Sequence, residues 1–127
     1  MNPISQKLTI GTLGELLVQI RLLQFDVQAA PPLKDSGNDL IAIRGKAMRA
    51  IQVKTTTADH FEFNVQALPE LFHELALVQL VGEDRILHLD RCRIFLLPKD
   101  DIKKGYYTLE ELRPYEMRPE LVDGMFP

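Results

Sequence analysis

The chain has 127 residues, of which 46% are hydrophobic and 26% are charged, a composition typical of one globular domain. No apolar run reaches the roughly 20 residues that cross a bilayer, and the first residues lack the pattern of a secretory signal. We therefore expect a cytoplasmic protein with no membrane partner. A lone cysteine, Cys92, excludes a disulfide-stapled secreted scaffold. We predict one domain over residues 1–127, with its core at about 5–98 and a C-terminal arm at 99–127.

The formal net charge of −3 argues at first against a nucleic-acid partner, because phosphate binding favours a basic surface. The charge is unevenly distributed along the chain, however. Residues 1–58 contain seven basic and four acidic side chains, so the acidity belongs to the C-terminal half. This distribution restricts any contact with nucleic acid to a face built from the first half.

A helix is predicted at about 5–25, where leucine and isoleucine recur at the spacing of one helical face. Gly11 and Gly14 interrupt its first turns, and each costs on the order of 1 kcal/mol in a helix interior. The two glycines therefore indicate either the start of the helix or the close approach of another segment to its backbone.

The elements that follow are predicted from apolar runs separated by glycine, proline and polar residues. They are a short strand at 26–30, a hairpin of 39–43 and 49–54, a short strand at 61–63, a helical turn at 69–72, a second hairpin of 75–80 and 85–89, a strand at 92–97 and a short helix near 108–112. This order predicts the α/β class with a mixed sheet of four to five strands. Apolar residues on both faces of the first hairpin place it in the middle of the sheet.

Three polar side chains in the first hairpin are informative, because an unpaired polar group in a buried strand costs several kcal/mol. Gln52 and Lys54 are two residues apart and project to the same face of one strand. Asp39 lies opposite Lys54 if the hairpin closes around Lys46 and Ala47, and opposite Gln52 if the register shifts by two. In both registers the three groups share one end of the hairpin, an arrangement suited to a hard divalent cation and a water.

Glu15 is the candidate that completes this set from the first helix. It lies off the strongly apolar face, on a stripe with Gly11 and Leu22, where the glycines let the helix approach the sheet or a substrate. The alternative is a capping box, in which Thr12 begins the helix and Glu15 reaches back to its N-terminus.

Three segments together form a recognisable pattern. They are the helical Gly14-Glu15, the run from Ser36 to Ile43 and the run from Ala50 to Thr56. The pattern resembles the PD-(D/E)XK phosphodiesterase superfamily, over about 10–57 by motif and to about Pro98 by element order. The resemblance implies the restriction-endonuclease-like fold, a mixed β-sheet flanked by helices.

In that superfamily a helical glutamate, an aspartate that begins the second core strand and a carboxylate-x-lysine on the third strand form a magnesium site. The resemblance implies that four residues here are catalytic: Glu15, Asp39, Gln52 and Lys54. All but the lysine would bind Mg²⁺, which Mn²⁺ can replace, together with the backbone carbonyl of Val53. Lys54 would activate the attacking water. Gln52 stands where the third-strand carboxylate is usual, as it does in a homing-endonuclease branch that is similar in this respect.

Four basic residues near the hairpin are candidates for binding nucleic-acid phosphates. They are Lys34, Arg44, Lys46 and Arg49. Lys34 is the best placed, because it lies in the loop before Asp39, whereas the others surround a turn at the opposite end of the hairpin.

The predicted function is metal-dependent endonuclease hydrolysis of DNA phosphodiester bonds, with RNA as an open alternative substrate. We expect a homodimer or higher homo-oligomer, because cutting two strands needs two sites. Gln52 and the acidic C-terminal half favour two alternatives. One is a catalytically degenerate nucleic-acid-binding or assembly module of the same fold, and the other is a structural interaction protein.

The remaining reactive side chains indicate no second chemistry. His60, His73 and His88 match no zinc-ligand spacing, and Cys92 is most simply a buried small residue. The pair Tyr106-Tyr107 either stacks on bases or covers an edge of the core.

Overall fold

The computed structural model describes residues 6–33, 37–84 and 86–127. Its helices are α1 (Gln6–Gln24), α2 (Leu109–Leu112) and α3 (Pro119–Met125). Its strands are β1 (Gln28–Ala30), β2 (Leu40–Arg44), β3 (Ala47–Thr56), β4 (His60–Glu62), β5 (Glu74–Gln79), β6 (Gly82–Glu83), β7 (Ile86–Leu87), β8 (Arg93–Pro98) and β9 (Tyr106–Thr108). Within these described ranges, no helix combines the length and the apolar character that a membrane span needs.

Five strands form one mixed sheet in the order β1-β2-β3-β5-β8. Strands β3 and β5 pair in parallel, and the other neighbours pair antiparallel. The parallel pair requires a crossover connection, which residues 57–73 supply. The predicted α/β class and mixed sheet are confirmed, and the predicted helix at 5–25 corresponds to α1.

Two apolar clusters cover the two faces of this sheet. On one face, Leu17, Val18 and Leu22 of α1 pack on the strands together with α3. On the other face, β4, β9 and α2 enclose a second cluster that contains Phe61 and Phe95. Helices therefore lie on both faces of the sheet.

Residues 99–127, predicted to form an irregular arm with one short helix, contain β9, α2 and α3. The short helix is confirmed as α2, which Thr108 caps in a capping box with Glu111. Helix α3 was not predicted from the sequence, although Val122 and Phe126 are fully buried in the main cluster. Its seven residues are too few for a clear helical period.

The first hairpin adopts the second of its two predicted registers. Leu40 pairs with Ile51 and Arg44 with Ala47, which places Asp39 opposite Gln52. The register centred on Lys46 and Ala47 is wrong because the strands close through a two-residue turn, Gly45-Lys46. Gly45 has φ of 61°, a conformation that such turns need and glycine adopts without strain.

The predicted pairing of 75–80 with 85–89 is wrong. Strand β5 pairs with β3 and β8, and the segment at 85–89 contributes only β7, which pairs with β6. Because β5 is buried along five of its residues, both of its neighbours must be apolar strands. The run in β8 meets this need, whereas 85–89 contains an arginine and a histidine.

The helical turn predicted at 69–72 is also wrong. A 3-10 turn forms earlier, at Val65–Ala67, and Leu68 ends it in an extended conformation with ψ of 148°. Leu68 precedes Pro69, and the proline ring disfavours a helical conformation at the residue before it.

Candidate active site

The helix α1 contacts β3 closely at Gly14. A Cβ atom on Gly14 would lie 1.9 Å from Thr55 Oγ1, whereas a Cβ on Gly11 would meet nothing within 4 Å. The close approach of another segment therefore explains Gly14 and not Gly11. The contact fixes the position of Glu15, the next residue, relative to β3.

The capping-box alternative for Glu15 is wrong. Helix α1 includes Gln6–Gln24, so Thr12 lies in its interior and its backbone N–H is already part of the helical hydrogen-bond series. The side chain of Glu15 is therefore available to the site.

Asp39 joins the beginning of β2 to the backbone of β3. Its amide donates to the carbonyl of Ile51 at 3.2 Å, and its Oδ2 accepts from the amide of Val53 at 2.8 Å. The N–H and C=O of one strand residue point to the same edge, so the Val53 carbonyl is directed to the side of Asp39. A carboxylate and a carbonyl thus meet where the hairpin opens.

Glu15 and Asp39 share one small volume. Burial raises the pKa of Glu15, and the charge of Asp39 and a hydrogen bond to its side chain raise it further. Two carboxylates in one site disfavour each other's ionised forms. A cation bound to both would offset their repulsion.

Three buried side-chain oxygens accept no hydrogen bond within the described ranges, on Asn38, Gln52 and Glu74. Two of them flank Asp39, since Asn38 precedes it and Gln52 lies opposite it across the hairpin. An unsatisfied buried polar group costs roughly 1–3 kcal/mol, so the oxygen of Gln52 is expected to have a partner in the functional protein.

These residues fit a hard divalent cation, because the atoms they would offer as metal ligands are all oxygens. The donors are the carboxylates of Glu15 and Asp39, the amide oxygen of Gln52 and the carbonyl of Val53. In the part of the chain that the structure describes, no three histidine, cysteine, aspartate or glutamate side chains are placed to hold a metal. The set therefore has two carboxylates and relies on the glutamine.

Lys54 is half-buried and lines two adjoining cavities. One, of about 530 Å³, lies between the end of β3 and α1 and is also lined by Lys7 and Gly11. The other, of about 270 Å³, is lined by His60 and Glu62. Gly11 leaves room in the first cavity because it has no side chain.

Lys7 is a candidate that the sequence analysis missed. Lys7, Gly11 and Glu15 are spaced by four residues and so lie on one stripe of α1. The signal that could have identified Lys7 is its position on this stripe, one helical turn before Gly11. Two lysines lining one cavity favour an anionic ligand such as a phosphate.

A larger cleft of about 1060 Å³ lies beside the same helix and is lined by Asp59, Glu83 and Asp84. Its acidic rim disfavours phosphate. An anionic ligand therefore fits the cavity lined by Lys7 and Lys54 better than it fits this cleft.

Three of the four basic residues predicted to bind phosphate lie in the described part of the chain, and Lys34 lies outside it. Lys46 is exposed at the tip of the hairpin turn. Arg44 and Arg49 lie in the strands beside it. Arg44 and Lys46 are thus at the opposite end of the hairpin from Asp39, and Arg49, which pairs with Ala42, is in its middle.

The two arginines are bonded to other parts of the chain. Arg44 donates from Nε to the Phe126 carbonyl at 3.0 Å and from a terminal nitrogen to the Phe25 carbonyl at 3.1 Å. Arg49 donates from Nε to the Met125 carbonyl at 3.2 Å. These contacts attach the hairpin to the segment that follows Arg118.

Two solved nuclease structures are similar to this chain. Hjc, a Holliday junction resolvase from Archaeoglobus fulgidus, gives a TM-score of 0.61 at 16% identity, over 92% of this chain and 98% of that chain. The bacterial homing endonuclease I-Ssp6803I gives 0.57 at 18% identity, over 95% and 86%. No family model and no curated protein matches the sequence. The structural likeness confirms the restriction-endonuclease-like fold.

Proposed function

We propose that this protein is a metal-dependent endonuclease that hydrolyses DNA phosphodiester bonds. The observation that carries the proposal is the meeting of Glu15, Asp39 and the unpartnered oxygen of Gln52 at the end of the hairpin that holds Lys54. The fold shared with a resolvase and a homing endonuclease supports the same reaction class.

Mg²⁺ or Mn²⁺, held by Glu15, Asp39, Gln52 and the carbonyl of Val53, would supply Lewis acidity towards the phosphate and its attacking water. Lys54 orients that water and offsets the negative charge that develops on the phosphate. Asp39 also fixes the end of β3 through its bond to the Val53 amide, which holds Gln52 and Lys54 in place.

The phosphate backbone is bound by Lys7 and Lys54 in their shared cavity. Lys34, the other phosphate-binding candidate from the sequence, lies outside the described residues and stays a prediction. We leave Arg44 and Arg49 out of this surface because they are bonded to backbone carbonyls of the same chain. Lys46 is left out because it lies at the turn end of the hairpin. With so few cationic contacts, nonspecific affinity is expected to be weak and to fall as salt rises.

The test is cleavage of supercoiled, linear, single-stranded and branched DNA, and of RNA, in Mg²⁺ and in Mn²⁺. Wild-type protein is expected to cleave DNA, and Lys54→Ala to be at least roughly 100-fold slower, the usual cost of removing one electrostatic contact to the transition state. Lys46→Ala removes the same charge at the distant turn and serves as the matched control. Cleavage by the wild type that does not exceed that of Lys54→Ala contradicts the proposal.

A second candidate function is a catalytically degenerate nucleic-acid-binding module. It is favoured by the replacement of the usual third-strand carboxylate with Gln52, which leaves the site with two acids. DNA binding without cleavage, unchanged by EDTA and by Asp39→Ala, would support this alternative.

We infer that the nuclease acts as a homodimer through the outer face of α1. Leu16, Ile20 and Leu23 form one row there and are 48%, 51% and 63% exposed. Arg21 points away from the row and donates to two backbone carbonyls. Two copies can therefore bury this uncharged row against each other without like-charge repulsion, and two sites serve two strands. Sedimentation is expected to show a wild-type dimer and an Ile20→Lys monomer. The same molecular mass for both proteins would contradict a dimer formed through this face.

A further inference from the structure

An aromatic pair lies on the outer face of the small β4–β9 sheet. Phe61 and Tyr107 point inward and are 2% and 7% exposed, whereas Tyr106 is 46% exposed. The rings of His60 and Tyr106 stack with centroids 5.2 Å apart and planes 21° apart. Tyr107 thus covers an edge of the core, and its neighbour Tyr106 presents its ring to solvent.

The ring of His60 is held in place on more than one side. Its Nδ1 donates to Oδ1 of Asp59 at 3.0 Å, since a carboxylate can only accept, and this bond lowers the pKa of Asp59. Tyr106 stacks on it from the neighbouring strand, one diagonal step away in the β4–β9 register. An aromatic surface that is already ordered loses little conformational entropy when a planar ligand stacks on it.

The pair is adjacent to the candidate active site. His60 lines the 270 Å³ cavity together with Lys54, which also lines the cavity that holds Lys7. A nucleotide whose phosphate binds between the two lysines can therefore extend its base towards His60.

The charges around the pair favour a base over a phosphate. Asp59 is bonded to His60, and Glu62 lines the same cavity as His60. Carboxylates repel phosphate oxygens, but they accept hydrogen bonds from the amino groups of bases.

We propose that His60 and Tyr106 form a stacking platform for an unpaired nucleobase beside Lys54. The ligand class rests on the proposed function, since the platform and the nuclease both require a nucleic acid. Bases inside a duplex stack on one another, so the platform selects substrates with a single-stranded segment next to the bound phosphate. Such stacking tolerates any base sequence, because every base has an aromatic face.

The test uses 2-aminopurine, a base analogue whose fluorescence falls when it stacks, in a single-stranded overhang and in a matched duplex. Binding is measured in EDTA, so that cleavage does not interfere. The wild type is expected to quench the overhang probe and not the duplex probe. Tyr106→Leu should weaken overhang binding by roughly 5- to 150-fold, as loss of one stacked base does, and leave duplex binding unchanged. Tyr106→Phe retains the ring and should bind as the wild type does.

The platform is overturned if the wild type leaves the overhang probe unquenched, or if folded Tyr106→Leu binds the overhang as tightly as the wild type does. Because Tyr106→Leu also removes a cross-strand contact, its Tm is measured, and His60→Leu replaces it if it does not fold. Quenching by a protein that cleaves nothing supports the platform and refutes the nuclease. Cleavage without quenching supports the nuclease and refutes the platform.

Discussion

The two ends of the β2–β3 hairpin are built on opposite principles. At the turn, Arg44 is bonded to carbonyls and contacts Asp123 at 2.9 Å, and Arg49, in the middle of the hairpin, is bonded to the Met125 carbonyl. At the open end, Asp39 lies beside a second carboxylate and an amide oxygen without a partner. Arg44 at the turn thus has a partner of opposite charge within the chain, whereas the open end brings two like charges together.

The difference shows how one hairpin can stabilise the fold at one end and, at the other end, hold a candidate site that lowers the stability of the fold. Like charges and unsatisfied oxygens reduce the free energy of unfolding, and such features persist at functional sites when the surroundings compensate. The bonds at the turn end supply that compensation in the same two strands. Substitutions at the two ends should therefore separate activity from stability.

The largest effect is expected for Asp39→Asn, which should slow cleavage by roughly 100-fold or more because it removes a ligand charge. Its Tm should not fall, since the asparagine oxygen can still accept from Val53 and the repulsion with Glu15 disappears. Asp123→Asn at the turn end is the matched control, with cleavage unchanged and a slightly lower Tm. Cleavage rates and melting curves of both variants check this contrast, which fails if Asp39→Asn lowers the Tm and retains activity.

Arg44→Met should lower the free energy of unfolding by about 2–4 kcal/mol. The change leaves two part-buried carbonyls without their donor, which is costly, whereas the loss to the exposed Asp123 is small. Lys46→Met, at the exposed tip of the same turn, should stay within about 0.5 kcal/mol of the wild type. Urea unfolding measures both variants, and equal midpoints would refute the stabilising role of the turn end.

Gly14→Ala should destabilise the protein by roughly 1–3 kcal/mol, because its Cβ would collide with Thr55. The helix must shift to relieve the collision, so Glu15 moves and cleavage slows as well. Gly11→Ala, in the open part of the same helix, should stabilise by up to about 1 kcal/mol. Thermal unfolding compares the pair, and a Gly14→Ala protein as stable as Gly11→Ala would contradict the close contact.

The smallest effect concerns pH and Glu74, which is 4% exposed and 3.7 Å from Arg49. Burial raises its pKa above the ordinary value of 4.5, and Arg49 offsets this only in part. A raised carboxyl pKa gives stability that is present below the ordinary value and lost as pH rises through the folded value. The Tm of the wild type minus that of Glu74→Gln should therefore decrease, by at most a few degrees, from pH 4 to pH 8. A Tm difference between the two proteins that stays constant with pH would contradict the raised pKa of Glu74.

The sequence predicts most of the open end of the hairpin, because its signals are local. Gln52 and Lys54 share a face by strand period alone, and the motif order adds Asp39 and Glu15. The register could not be fixed in advance, since it depends on where Gly45 places the turn. The partners of the turn end are also hidden, because Arg44 and Phe126 are 82 residues apart and no local pattern relates them.

The second sheet edge shows the same limit. Apolar content alone predicted that β5 pairs with the next apolar run in the chain. Because β5 is buried on both faces, it pairs instead with the more apolar run in β8. Tyr106 and His60 are likewise brought together only by the β4–β9 pairing. Contacts across long separations decide these features, and a single sequence carries little information about them.

The bonds from Arg44 and Arg49 to Phe126 and Met125 have a consequence for the order of events during synthesis. A chain emerging from the ribosome exposes its N-terminal half first, with every proposed catalytic residue already present. The hairpin that holds them is fully bonded only after Phe126 has emerged. Completion of the hairpin is thereby delayed until the rest of the core is available, so a partly made chain has the proposed catalytic residues without the framework that positions them.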